Sequence, residues 1–135
     1  MNIRKIEHLG IAVRDLEKAV ALYSGVLGLP VVDRETLEDM KLKVVKVRSG
    51  ESVLELLEPL PGETVISKFL DSHGEGIHHV CFEVDDLVKA TAEIQARGYE
   101  TVWPAPKKGA GNRWVMFLKP CQTGGVLIEL NQPIS

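Results

Sequence analysis

Cysteine is scarce in this chain: only Cys81 and Cys121 occur among 135 residues, without paired spacing. That excludes a disulfide framework and predicts free thiols in a reducing cytoplasm. Excess positive charge is also missing, since 16 Lys and Arg stand against 19 Asp and Glu, a formal net charge of −3. A nucleic-acid-binding domain would be clearly basic, so nucleic acid is excluded as a partner. The strictly apolar runs are only a few residues long, and none can span a membrane. The first residues, Met1 to Ile6, enter a strand-like pattern at once, so the expectation is no secretory or transit leader. What remains is an ordinary globular composition, 44% hydrophobic and 26% charged. A chain of this size makes one domain, or two half-sized modules around a shared core, and buries roughly two-thirds of its surface.

The chain repeats itself. Residues 6–19 laid over residues 77–90 match Ile, His, Val, Asp, Leu, Lys and Ala at a constant offset of 71. Residues 50–59 laid over 124–133 place Glu55 over Glu129 and Pro59 over Pro133, at an offset of 74. Each half therefore begins with a histidine and ends with a glutamate.

Periodicity gives the structure of one half. Residues 4–13 read as a strand. Asp15 is placed to cap a helix over 16–26, with Leu16, Ala19, Val20 and Tyr23 at helical spacing. Gly28 ends that helix and Pro30 prevents its resumption. Strands follow near 31–37, 41–48 and 52–58. The second half repeats the plan: a strand at 77–84, a helix at 87–97 stopped by Gly98, and strands near 100–103, 113–119 and 125–131. Between them, a turn at 60–62 leads into a short helix whose apolar stripe would be Val65, Ile66, Phe69 and Leu70. The fold class is α+β: two tandem βαβββ modules, about 4–59 and 77–133 with the linker at 60–76, forming a curved, cup-like mixed sheet within one domain, 1–135. A four-stranded sheet with one helix leaves its second face bare, so two copies are expected to curve around a shared cavity.

Strand alternation puts His8, Gly10 and Ala12 on one face, with His79, Cys81 and Glu83 corresponding to them. Glu55 and Glu129 face the same way, while Leu54, Leu56, Ile128 and Leu130 point under the helices. A lone strand histidine or glutamate is usually a packing or solvated residue. The repeat, however, selects the same pair of positions twice, and a buried carboxylate is costly unless it is paired or metal-bound. Imidazole nitrogens with carboxylate oxygens suit Mn²⁺, Co²⁺, Ni²⁺, Fe²⁺ or Zn²⁺. His8, Glu55, His79 and Glu129 are accordingly the candidate metal ligands. His78 should face away from His79, and His73 is set aside as structural or exposed.

Paired βαβββ modules carrying His…Glu…His…Glu resemble the vicinal oxygen chelate (glyoxalase) superfamily. Within it the resemblance is strongest to the methylmalonyl-CoA epimerases. It is carried by residues 6–13, 55–59 and 66–70, by Gly74-Glu75-Gly76-Ile77-His78-His79-Val80, by 117–120, and by Thr123-Gly124-Gly125-Val126-Leu127-Ile128-Glu129-Leu130. The resemblance implies a divalent metal, cobalt first, held by His8, His79 and Glu129 with Glu55 in the fourth position. It also implies an acyl-CoA substrate whose α-proton is removed and returned through a metal-stabilised enolate, and a homodimer. Glu129 would be the ligand and base. Some relatives carry the second acid where this chain has Val44, and Glu55 is expected to take that role as the symmetry mate of Glu129. Lys107-Lys108-Gly109-Ala110-Gly111-Asn112-Arg113 would supply cations and backbone N–H groups to the CoA phosphates, or serve as a solvated hairpin. Lys41, Lys43, Lys46 and Arg48 are expected on an exposed strand face, and Trp103 and Trp114 in packing. Three rival readings share the fold. Glyoxalase I also uses two His and two Glu, but here the stretch before Glu129 lacks the Asp-Pro-Asp-Gly of that enzyme. An extradiol dioxygenase would use two His and one Glu on Fe²⁺. A metal-free drug-binding protein would need no quartet at all.

Overall fold

The computed structural model describes residues 1–134. The chain forms two compact units, one of His8–His78 and the other of Met1–Glu7 together with His79 onward. The boundaries fall inside strands. Strand β1 (Ile3–Ala12) begins in the second unit and finishes in the first, and β5 (Gly76–Val84) does the reverse.

In the first unit β1 leads to helix α1 (Leu16–Val20), then to strands β2 (Val31–Leu37), β3 (Leu42–Ser49) and β4 (Ser52–Pro59), and to helix α2 (Val65–His73). The strand order is β2-β3-β4-β1, antiparallel except that β1 runs parallel to β4. In the second unit β5 leads to helix α3 (Leu87–Ala96) and strands β6 (Lys107–Gly109), β7 (Arg113–Phe117) and β8 (Ile128–Pro133). The order there is β5-β8-β7-β6, again with only the β5–β8 pair parallel. The class is α+β, with βαβββ used twice, as the repeat requires. No helix among the described residues is long and apolar enough to cross a membrane.

The repeat extends to the helix caps. Asp15 accepts from the Lys18 backbone N–H and Asp86 from that of Lys89, each satisfying a donor the first turn leaves open. Glu58 Oε1 accepts from the Leu16 backbone N–H at 2.9 Å, and Gln132 Oε1 from that of Leu87 at 2.7 Å. These two acceptors also stand at the offset of 74. Helix α2 carries a reciprocal cap in which Thr64 and Ser67 each accept from the other's backbone N–H.

Each helix covers one sheet face. In the first unit Leu16, with Ala19, Val20 and Tyr23, packs on Ile11, Val13, Val45, Val47 and Leu56. On the opposite face Ile66 and Leu70 of α2 cover Ala12, Leu42, Val44 and Leu57, leaving the end of that face around His8 and Glu55 clear of this cluster. In the second unit Leu87, Ala90 and Ile94 pack on Val84, Met116 and Leu130. Burying side chains of this size supplies roughly 1.5–3 kcal/mol each before entropy is subtracted.

Three expectations are corrected. Val65, placed in the apolar stripe of α2, is 69% exposed, because the stripe that packs is Ile66 and Leu70. Residues 100–103 form no strand; Thr101 makes one isolated bridge to Leu118, and the edge strand is Lys107–Gly109. Pro104 and Pro106 explain the shift, since neither can donate to a ladder. The helix expected over 16–26 is α-helical only to Val20 and continues as wider π turns through Ala21–Val26. Gly28, with φ 75°, follows the helical stretch as expected.

Candidate functional site

In the first unit Gly10 of β1 lies beside Glu55 of β4 in the parallel ladder. His8 precedes Gly10 by two residues and so shares its face. Its Nδ1 reaches to 3.3 Å from Glu55 Oε2, and both side chains are buried. The second unit repeats the arrangement. Cys81 of β5 lies beside Glu129 of β8, His79 precedes Cys81 by two, and His79 Nε2 lies 3.0 Å from Glu129 Oε1. That pair is buried as well. The structure thus brings His8 to Glu55 and His79 to Glu129, each pair within one unit.

Two buried carboxylates held against imidazoles concentrate negative charge where water cannot solvate it. Imidazole nitrogen and carboxylate oxygen are the donor set of a borderline divalent ion, so the residues present fit such a group.

The surroundings of the pairs differ. Across the antiparallel ladder from Glu55 stands Lys46 of β3. Its ammonium lies 3.9 Å from Glu55 Oε2 and 3.9 Å from Glu35 Oε2 on β2, and its side chain is only 14% exposed. This overturns the expectation that Lys46 belongs to a solvated face. Its neighbours Lys43 and Arg48 are exposed as expected, while Lys41 lies outside the strand with φ 54°. A signal for Lys46 was present in the sequence. A tight turn at Gly50-Glu51 pairs Ser49 with Ser52, and that register sets Lys46 opposite Glu55.

Across the ladder from Glu129 stands Phe117 of β7. Its ring meets the His79 ring edge to face at 5.8 Å and the Trp103 ring at 5.6 Å. Further along the same face, buried Glu83 accepts from Arg113 Nη1 at 2.7 Å, and Arg113 also reaches Asn131 at 3.4 Å. Asn131 Nδ2 donates to Glu7 Oε1 at 3.2 Å, tying the first strand's start into this unit. Sequence reasoning did not find this network.

The remaining candidates fall as follows. Val44 is fully buried in the apolar cluster beneath α2, so its position offers no acid. His78 packs edge-on against Phe69 and His73 stacks on the same ring, at 4.9 and 4.7 Å. The basic stretch 107–113 is a hairpin of β6 and β7 whose turn carries Gly111 and Asn112 at positive φ. Lys107 sits over the Trp103 ring at 4.8 Å and Lys108 over the Trp114 ring at 5.8 Å. Trp103 packs as expected, whereas Trp114 is 37% exposed.

Comparison with known proteins shows the family to which this chain belongs. The family profile "Glyoxalase/Bleomycin resistance protein/Dioxygenase superfamily" matches residues 7–117. The mitochondrial methylmalonyl-CoA epimerase of Homo sapiens is 38% identical over 132 residues, covering 97% of this chain and 75% of the human protein. An ethylmalonyl-CoA/methylmalonyl-CoA epimerase of Cereibacter sphaeroides is 36% identical, covering 96% of this chain and 98% of its own. The structure of a Streptomyces coelicolor methylmalonyl-CoA epimerase variant in complex with 2-nitronate-propionyl-CoA superposes with a TM-score of 0.93 at 29% identity. It covers 99% of this chain and all of that one.

Proposed function

Because the chain belongs to the glyoxalase/bleomycin resistance protein/dioxygenase superfamily, and within it to the methylmalonyl-CoA epimerases, we propose that it interconverts the two C2 epimers of methylmalonyl-CoA. The observation that carries the reading is the pair of buried His–Glu contacts at repeat-equivalent positions in a chain so similar to those enzymes.

In this reading His8, Glu55, His79 and Glu129 together hold one divalent ion, with cobalt the first choice and Mn²⁺, Ni²⁺ or Zn²⁺ alternatives. When bound, the ion supplies a Lewis acid for the charge that develops on the substrate's oxygens as the α-proton leaves. The rest is done by side chains. C2 of methylmalonyl-CoA lies between a thioester and a carboxylate, so its proton is acidic once that charge is stabilised. Glu129 takes the proton from one face of C2, and Glu55 delivers a proton to the other. In the reverse direction the two exchange roles. His8 and His79 would complete the ligand set beside their partner glutamates, and burial keeps bulk water from competing.

We further propose that the protein is a cytoplasmic homodimer. The free thiols of Cys81 and Cys121 support a reducing compartment, and light scattering on the purified protein would measure the assembly.

The test is proton NMR of methylmalonyl-CoA in D₂O with protein stripped of metal and then given Co²⁺. The reading predicts metal-dependent loss of the α-proton signal. No exchange with any of several divalent ions would sink it, and the hemithioacetal of methylglyoxal and glutathione would then be the substrate to try.

A further inference from the structure

A lysine that loses most of its exposure on a strand whose other basic residues, Lys43 and Arg48, stay exposed needs a reason, because burying an ammonium is costly. Lys46 is such a lysine. Its ladder partner is Glu55, so the two side chains share a face, and Glu35 on the next strand completes the set. Both carboxylates stand 3.9 Å from the ammonium, within ion-pair reach but beyond hydrogen-bond length. The cation is held in place by charge from two sides, while neither contact fixes its N–H donors in a short bond.

The charge count on this face decides what the lysine is for. Glu35, Lys46 and Glu55 sum to −1, a poor surface for an anion. If Glu55 is committed to a divalent ion, Lys46 is balanced by Glu35 alone. A cation on a half-buried stem then faces the approach of any acyl group that carries its own negative charge. The ladder partner of Glu129 is a phenylalanine, so the second unit offers no such cation opposite its glutamate.

We propose that Lys46 is a specificity-determining residue whose ammonium takes the free carboxylate of the acyl group. The enzyme would thereby select malonyl-type CoA thioesters over uncharged acyl thioesters of similar size. This rests on the epimerase reading above. Glu35 serves as the counter-ion that keeps the ammonium on the site face when substrate is absent.

The experiment uses cobalt-loaded wild type, Lys46→Met, Lys46→Gln and Lys46→Arg, with calorimetric binding of methylmalonyl-CoA and of propionyl-CoA, which lacks the carboxylate. Loss of a charge-assisted contact should weaken methylmalonyl-CoA binding about tenfold to a hundredfold in the Met and Gln variants. Propionyl-CoA binding should stay within about twofold, a split that general damage to the site would not produce. Lys46→Arg should recover most of the loss, and KM for exchange should rise more than kcat falls. Equal weakening of both ligands, or unchanged methylmalonyl-CoA binding, would overturn the proposal while wild-type exchange left the epimerase reading standing. Absence of exchange in the wild type would remove both.

Discussion

Across the ladder from its site glutamate, the unit of His8 presents Lys46, whereas the unit of His79 presents Phe117. The frame around the two pairs is largely duplicated. In both units a histidine two residues before the glutamate's ladder partner reaches over to it, an aspartate caps the helix, and a side chain from the last strand accepts from the helix's first N–H. The difference separates the positions that recur in the two halves from those that do not. The His and Glu positions recur; the residue opposite the glutamate is a cation in one copy and an aromatic in the other. A reaction that treats the two faces of one carbon in turn needs two similar proton carriers, and it gains from surroundings that are not alike.

The sharpest way to break the comparison is to disable one proposed proton carrier at a time. Glu129→Gln and Glu55→Gln should each slow epimer interconversion about 10²- to 10⁴-fold. In D₂O each should retain some α-proton exchange, and with opposite epimers. NMR of the separate epimers checks this, and full epimerisation by Glu55→Gln would remove Glu55 from the role of second acid.

A smaller effect tests whether the duplication is energetic as well as geometric. Glu58→Ala and Gln132→Ala each remove the acceptor at a helix start and should each cost about 1 kcal/mol. Urea unfolding of both variants should give nearly equal losses. A loss confined to one would show that the copies have diverged in stability as well as in chemistry.

The smallest effect belongs to the second unit alone, where Arg4 and Asn2 clamp Asp85. The hydrogen bond from Arg4, and then that from Asn2, holds the Asp85 carboxyl below its usual range. A carboxylate depressed in the folded state stabilises it above the unfolded pKa, and the benefit disappears as pH falls through the folded value. Wild type should therefore exceed Asp85→Asn in stability above about pH 5, and the gap should close as pH drops below about 4. Urea midpoints measured against pH would show it, and a gap independent of pH would assign the clamp to packing.

Much of this was legible in the sequence because duplication supplies its own control. A single strand histidine says little, but His8 and His79 at one offset with Glu55 and Glu129 at another select four positions out of 135. The strand limits of the first unit were legible because short turns and β-branched runs mark them. Less legible were features set by pairs distant in the chain. The Glu83–Arg113–Asn131–Glu7 network joins residues up to 124 positions apart, and nothing local in the sequence marks it. Lys46 is an intermediate case: its composition suggested solvent, yet the register imposed by Gly50-Glu51 placed it beside Glu55. Residues 100–103 were misread because their β-propensity was weighed without the two prolines that follow.

The central claim is that the two His–Glu pairs serve one ion, and metal stoichiometry tests it most directly. Wild type loaded with Co²⁺ and desalted should carry one ion per chain by elemental analysis. His8→Ala and His79→Ala, each from a different copy of the repeat, should both lose it while remaining folded by circular dichroism. Two ions per wild-type chain, or full retention by either variant, would contradict the account.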